Sequence, residues 1–282
     1  MSEPLPRKVQ EGGALILELP VAGDLFGNKT LEYARRLKGK VDGFLIPDLP
    51  TGRPSIEGLS LSHLLMKSGI DELILTQATS RRDELSNVSR LLGAWSAGIR
   101  SVFIVQGDVH ISNVKATQVI AMLSSMKEGR LTVGGRDIRL IEKIRFFVGS
   151  VLSPSRKGEE GRLEKKLKAG VDFFLTQLCL SKDDLIGFLE RVELKKPLGV
   201  SFPILYKAEN LERLKVLDGI NIPEEVYLRL KTSKDLVGDS VNLSLETYDL
   251  VKDRFGKKSP ISVYLVPLSR NLELEDILNR FK

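Results

Sequence analysis

The chain has one cysteine, Cys179, and two histidines, His63 and His110, among 282 residues. A lone cysteine excludes a disulfide within one chain, and so few thiol and imidazole groups argue against a metal centre built on them. Two histidines still suffice for a Ser-His-Asp hydrolase, yet no G-x-S-x-G elbow is present. Long apolar runs are missing too: none approaches the ~20 residues that a membrane span needs. The opening MSEPLPRKVQEGG is polar and lacks the basic start and apolar stretch of a signal peptide, so a cytoplasmic protein with no membrane partner is expected. Without secretion, the glycosylation-like triplets at Asn28, Asn87 and Asn242 carry no meaning.

What remains is a globular composition. Hydrophobic residues make up 42% and charged residues 28%, which excludes a disordered chain. The net charge of +6 comes from basic residues interleaved with acids, as in RKGEEGRLEKKLK at 156–168. Interleaving of this kind makes a solvated helix face, not a nucleic-acid stripe, while the positive balance also suits a polyanionic cofactor.

Short apolar runs recur along the chain: ALILELP at 14–20, VDGFLIP at 41–47, ELILTQ at 72–77 and RSVFIVQG at 100–107. KIRFFVGSV at 143–151, DFFLTQ at 172–177, PLGVSF with Pro203 just beyond, and ISVYLV at 261–266 complete the series. Each is short and aliphatic or β-branched, as strands buried on both faces are. Helical spacing fills the intervals, with one stripe of Leu85, Val88, Leu92 and Trp95 and another of Val119, Met122, Leu123 and Met126. Ser181 with Asp184 reads as a helix start. Between the last two runs, LERLKVLDG, PEEVYLRLK and VNLSLETYDLVKDRFG read as inserted helices.

Eight strands alternating with helices give the arithmetic of an α/β protein, a (β/α)8 TIM barrel with extra helices between strands seven and eight. A doubly wound open sheet has the same alternation. No Pro/Gly/Ser linker divides the chain, so residues 1–282 read as a single domain.

In a β/α barrel the functional groups gather at the carboxyl ends of the strands. Those ends carry Glu18, Asp48, Gln77, Asp108, Ser153, Gln177, Ser201 and Ser269 with Arg270. Glu18 stands between Leu17 and Leu19, and apolar surroundings favour the neutral form of a carboxylate, which suits a general acid. Its bland alternative is a salt-bridged structural glutamate. Asp108 follows Gly107, where backbone can approach a ligand closely and a carboxylate can face developing positive charge. Gln177 offers an amide that donates and accepts across a planar heterocycle. Cys179, Trp95 and the methionines read as core, His63 as a helix residue, and His110 as part of the loop after Asp108.

Taken in order and spacing, several segments resemble the methylenetetrahydrofolate reductase family: LELPVAG, PDLPTGRPSIEGLSLSHLL, LLGAWSAGIRSVFIVQGD, GINIPEEVYLRLK and PLSRN. EKKLKAGVDFFLTQ is the most specific of them. The resemblance implies a β/α barrel holding FAD across its mouth and passing a hydride to the methylene carbon of 5,10-methylenetetrahydrofolate or a related pterin. By position it implies that Glu18 is the general acid and that Asp108 lies near flavin and pterin. Gln177 and Arg270 would contact the pterin. Thr76, Gln106, Gly107, Ser153 and Lys166 would contact the cofactor, Lys166 through its phosphates.

Three cofactor positions depart from the family pattern. Its H-L-T-C becomes Thr76, Gln77, Ala78 and Thr79, removing a flavin-contacting histidine. Pro47 stands where a threonine is frequent, and Ser153 where a histidine or asparagine is frequent. Two variants therefore accompany the flavin reductase. One takes hydride directly from NADH or NADPH. The other is a non-flavin pterin-binding subunit working with a redox partner subunit. A homo-oligomer is open as well, and no metal is expected.

Overall fold

The computed structural model describes residues 4–21, 23–49, 54–269 and 273–282. In chain order the elements are α1 (Leu5–Glu11), β1 (Leu15–Glu18), α2 (Asn28–Leu37), β2 (Gly43–Ile46), α3 (Gly58–Lys67) and β3 (Leu73–Ala78). Next come α4 (Glu84–Ser96), β4 (Ser101–Val105), α5 (Ala116–Lys127), β5 (Arg130–Val133), β6 (Arg136–Arg139) and β7 (Phe147–Leu152). The remainder is α6 (Glu159–Ala169), β8 (Phe173–Thr176), α7 (Lys182–Arg191), β9 (Leu198–Ile204), α8 (Glu209–Lys215), α9 (Glu224–Lys231), α10 (Leu236–Phe255), β10 (Ile261–Pro267) and α11 (Glu275–Asn279).

Eight parallel strands close in the order β1-β10-β9-β8-β7-β4-β3-β2, which settles the choice between barrel and open sheet. Successive side chains on a strand point to opposite faces, so each strand supplies one row to the lumen and one to the helices. The lumen row holds Ile16, Leu45, Ile74, Phe103, Phe173, Leu175, Tyr264 and Val266. The outward row, with Leu15, Leu17, Phe44, Ile46, Val200 and Leu265 among others, packs under the helices. A narrow lumen needs small residues opposite large ones. A Cβ on Gly149 would lie 2.2 Å from the Phe173 ring, and one on Gly199 2.4 Å from Leu175.

Ser181 caps α7 as expected, its hydroxyl accepting the Asp184 amide at 3.3 Å, and α8, α9 and α10 fill the interval before the last strand. Four features differ from the sequence reading. Helix α1 forms inside the stretch taken as a polar start. Its Leu5 and Val9 enter the lumen cluster, and the Leu5 amide bonds Glu72 at 2.9 Å. Between α5 and β7, β5 and β6 make an antiparallel hairpin around Gly134 and Gly135.

The stripe on α4 is rotated: Asn87, Val88, Leu91 and Ala94 are buried while Leu85 is exposed. Asn87 turns the helix because its side chain meets Gln77 at 2.7 Å and three backbone carbonyls at 2.9 Å. Finally, Pro203 lies within β9 instead of ending it. The Ser201 amide points to β8, where it donates to Thr176 Oγ1 at 2.8 Å, and Pro203 shares that side. Pairing with β8 stops at Gly199, so the missing N–H of Pro203 costs no strand hydrogen bond.

Candidate functional site

Glu18 is the last residue of β1 and shares the lumen parity of Ile16, so its side chain stands at the carboxyl-end mouth of the barrel. On the adjacent strand Tyr264 pairs in register with Ile16, one layer deeper, and its hydroxyl reaches up to donate to Glu18 Oε2. Withdrawal from water raises the Glu18 pKa from its ordinary 4.5 to about 7, the Tyr264 hydrogen bond opposing part of that rise. Burial and the neighbouring carboxylate push the Tyr264 phenol well above its usual value, so it stays a proton-bearing donor. Near neutral pH Glu18 is therefore divided between acid and carboxylate, the state that a general acid requires.

Thr76, with lumen parity on β3, adds a buried hydroxyl that has no hydrogen-bond partner among the described residues. Ser153, just past β7, is a second such hydroxyl and lies against Gly219 in the loop after α8. That loop is tied down by the ion pair of Arg156 and Asp218 at 2.6 Å and by a long Gln177 Nε2 bond to the Asp218 carbonyl at 3.4 Å. Orphaned buried hydroxyls at one mouth are the signature of a polar ligand or ordered water.

Other strand-end residues serve the scaffold. Asp48 takes both Arg82 guanidinium nitrogens, at 2.6 and 3.0 Å, and the Ala78 amide at 2.9 Å. Burial works against its charge, but Arg82, the charge of Arg90 and the Ala78 amide outweigh it and hold its pKa below the carboxylate norm. Gln77 points outward to Asn87 and Arg90. Ser201 Oγ donates to the Thr176 carbonyl at 2.5 Å. Burial pushes the Cys179 thiol up to about 12, which leaves it inert near neutrality. His110 and Asp108 are exposed in the loop after β4. Gly107 has φ +87, and a Cβ there would meet Ala78 at 2.9 Å, so only glycine lets these two loops approach. Arg270 lies outside the described residues.

Two of the residues assigned by resemblance to flavin, Lys166 and Gln106, have their side-chain polar atoms occupied within the fold. Lys166 is buried, and its ammonium is spent on Glu159 at 3.1 Å and the Val151 carbonyl at 2.5 Å. Burial lowers its pKa while Glu159 opposes the loss of its charge. A lysine neutralised by a buried carboxylate offers little to a polyanion. The Gln106 amide is likewise occupied, donating to the Val114 carbonyl at 3.0 Å and accepting the Ala116 amide at 3.2 Å. Among the described residues no His/Cys/Asp/Glu cluster could hold a metal ion, and no helix is long and apolar enough to cross a membrane.

Fold and mouth together define a β/α-barrel protein with a half-buried carboxyl bonded to a buried phenol and unsatisfied hydroxyls at the carboxyl end of the strands. The family model for methylenetetrahydrofolate reductase matches residues 62–247, and the chain belongs to that family. The matched segment contains Thr76, Gln106, Gly107, Asp108, Ser153, Lys166 and Gln177, whereas Glu18 and Tyr264 flank it.

Among solved structures, an uncharacterized protein from Clostridium thermocellum that binds two copies of 5-methyl-5,6,7,8-tetrahydrofolic acid is similar at a TM-score of 0.75. Identity is 18%, with 99% of this chain and 98% of that one covered. Dihydropteroate synthase from Stenotrophomonas maltophilia is similar at a TM-score of 0.50 and 10% identity, over 95% of this chain and 91% of that one. A 2,3-dimethylmalate lyase has the same score and identity over 92% and 79%. Likeness at these identities shows the barrel fold. No curated protein matches the chain in sequence.

Proposed function

We propose that the chain binds a folate-type pterin at the barrel mouth and reduces its 5,10-methylene group to 5-methyl, with Glu18 as the proton donor. The observation that carries this reading is the Glu18 carboxyl in the lumen, raised to about 7. Family membership supports it, as does the folate bound by the Clostridium thermocellum neighbour.

In chemical terms, protonation of the ring nitrogen N10 by Glu18 breaks the N10–methylene bond and leaves an iminium between N5 and the methylene carbon. A hydride then adds to that carbon, and the proton remains on N10. Exposed Asp108, beside the mouth, supplies negative charge for the cation stage. Because Lys166 is spent on Glu159 and Thr76 stands where the family pattern has its flavin-contacting histidine, this reading takes the hydride directly from a reduced nicotinamide.

A second reading, a pterin-binding subunit completed by a redox partner, draws on exposed apolar side chains in loops at the same end. These are Leu25 and Phe26 after β1 and Val109 and Ile111 after β4.

Glu18→Gln tests the proposal. Folate affinity, read by calorimetry with 5-methyltetrahydrofolate, is expected to change little, while NADH- or NADPH-driven reduction falls ~100-fold or more, the scale of a lost general acid. Wild-type protein that fails to bind any folate would remove the proposal. Binding without nicotinamide-driven turnover would favour the subunit reading.

A further inference from the structure

We propose that Tyr264 is a positioning residue for Glu18: its hydroxyl claims one carboxyl oxygen and leaves the other to deliver the proton toward the mouth. This rests on the reading of Glu18 given above. Among the described residues Tyr264 is the sole hydrogen-bond partner of the Glu18 carboxyl, and it engages Oε2 alone. The phenol is buried, and of its in-register neighbours Ile16 is apolar while Ser201 spends its hydroxyl proton on the Thr176 carbonyl, so Glu18 is the acceptor that the phenol meets. A buried O–H without an acceptor is costly, so the pair is held in one geometry.

That geometry has a chemical consequence. The phenol is a donor toward Oε2, and an unprotonated carboxyl oxygen is the better acceptor. When Glu18 takes up its proton, the proton therefore settles on Oε1, the oxygen without a partner. In the absence of Tyr264 either oxygen could carry it, and the side chain would be free to rotate. The surrounding lumen positions carry no charge: Leu45 of β2 and Val266 of β10 are apolar, as are Phe103, Phe173 and Leu175, and Thr76 of β3 adds a neutral hydroxyl. No charged side chain among the described residues acts on Glu18.

Tyr264→Phe keeps the ring and removes the hydroxyl. The expected result has three parts. Folate affinity stays within about threefold, turnover falls at least ~10-fold through lost orientation, and the alkaline limb of the pH–rate profile moves upward. The upward move follows because the hydroxyl stabilises the carboxylate, and losing it favours the protonated acid.

Infrared difference spectra of the protonated carboxyl, identified by its loss in Glu18→Gln, give a readout that needs no turnover. In wild type the C=O stretch is expected at lower frequency than in Tyr264→Phe, because its oxygen accepts the phenol. An unchanged pH profile, or an unchanged C=O stretch, would overturn the positioning role. If Glu18→Gln abolishes turnover while Tyr264→Phe alters nothing, only this inference fails. If Glu18→Gln retains full turnover, the reading of the acid itself fails.

Discussion

At Glu18 the proposed role of proton donor conflicts with the residue's contribution to folding. Its pKa rises from 4.5 to about 7 on folding, so the native state binds the proton more tightly than the unfolded chain does. Below pH ~4.5 both states are protonated and the barrel is at no disadvantage. Between pH ~4.5 and 7 the unfolded chain gives up this proton while the native carboxyl keeps it, and stability worth of order 3 kcal/mol is lost across that window. Glu18→Gln removes that titration while keeping an acceptor for Tyr264. Thermal or urea unfolding is expected to find this variant more stable than wild type at pH 8 and indistinguishable from it at pH 4. Equal pH dependence in the two proteins would mean that Glu18 is better solvated than its lumen position implies. Asp48 works in the opposite sense: its lowered pKa contributes stability above the ordinary carboxylate range, and that contribution is lost as the pH falls through its folded value.

Among the elements, α1 does more than its seven residues suggest. Leu5, 1% exposed, closes the amino end of the lumen against Gly43, where an added Cβ would approach its methyl group to 2.5 Å. Lys8 holds Asp42 at 2.5 Å, and Asp42 in turn accepts the Leu15 amide at 2.8 Å, tying the helix to the start of β1. Leu5→Ala opens a cavity that neighbouring strands cannot collapse into, and a loss of about 3 kcal/mol is expected in denaturant unfolding. A loss below ~1 kcal/mol would show that α1 is detachable. The carboxyl end of the barrel is built on a contrasting plan. There Asp48–Arg82, Gln77–Asn87 and Gln106 with the start of α5 fix the loops through polar contacts. The scaffold is thus sealed by apolar packing at one end and braced by hydrogen bonds at the other.

At the scale of the whole molecule, the family supplies the barrel, and this chain's own side chains decide what the barrel can hold. Lys166 and Glu159 neutralise one another, so the purified protein is expected to show no flavin band near ~450 nm and no spectral change on titration with FAD, the cofactor that would otherwise carry the redox chemistry. A stoichiometric flavin spectrum would show that other groups hold the diphosphate and would return the hydride to a flavin route. The polar mouth, with Thr76 and Ser153 unsatisfied, remains suited to a heterocycle rich in donors and acceptors.

The barrel itself was legible in the sequence, because buried parallel strands must be continuous apolar runs and the helices between them must carry a one-sided pattern. Glu18 was legible for the same reason, as a carboxylate inside such a run. Alternation on ISVYLV would have put Tyr264 in the lumen, but not opposite Glu18, since the partner lies 246 residues away and only barrel closure brings β10 beside β1. Local pattern likewise failed to separate Gln77 and Asp48, which brace the scaffold, from Thr76, which faces the lumen. One residue along a strand reverses the direction of a side chain. Strand order, register and the pairing of buried charges are long-range facts, so the sequence determined which groups the protein possesses, and the tertiary structure decided which of them remain free to meet a ligand.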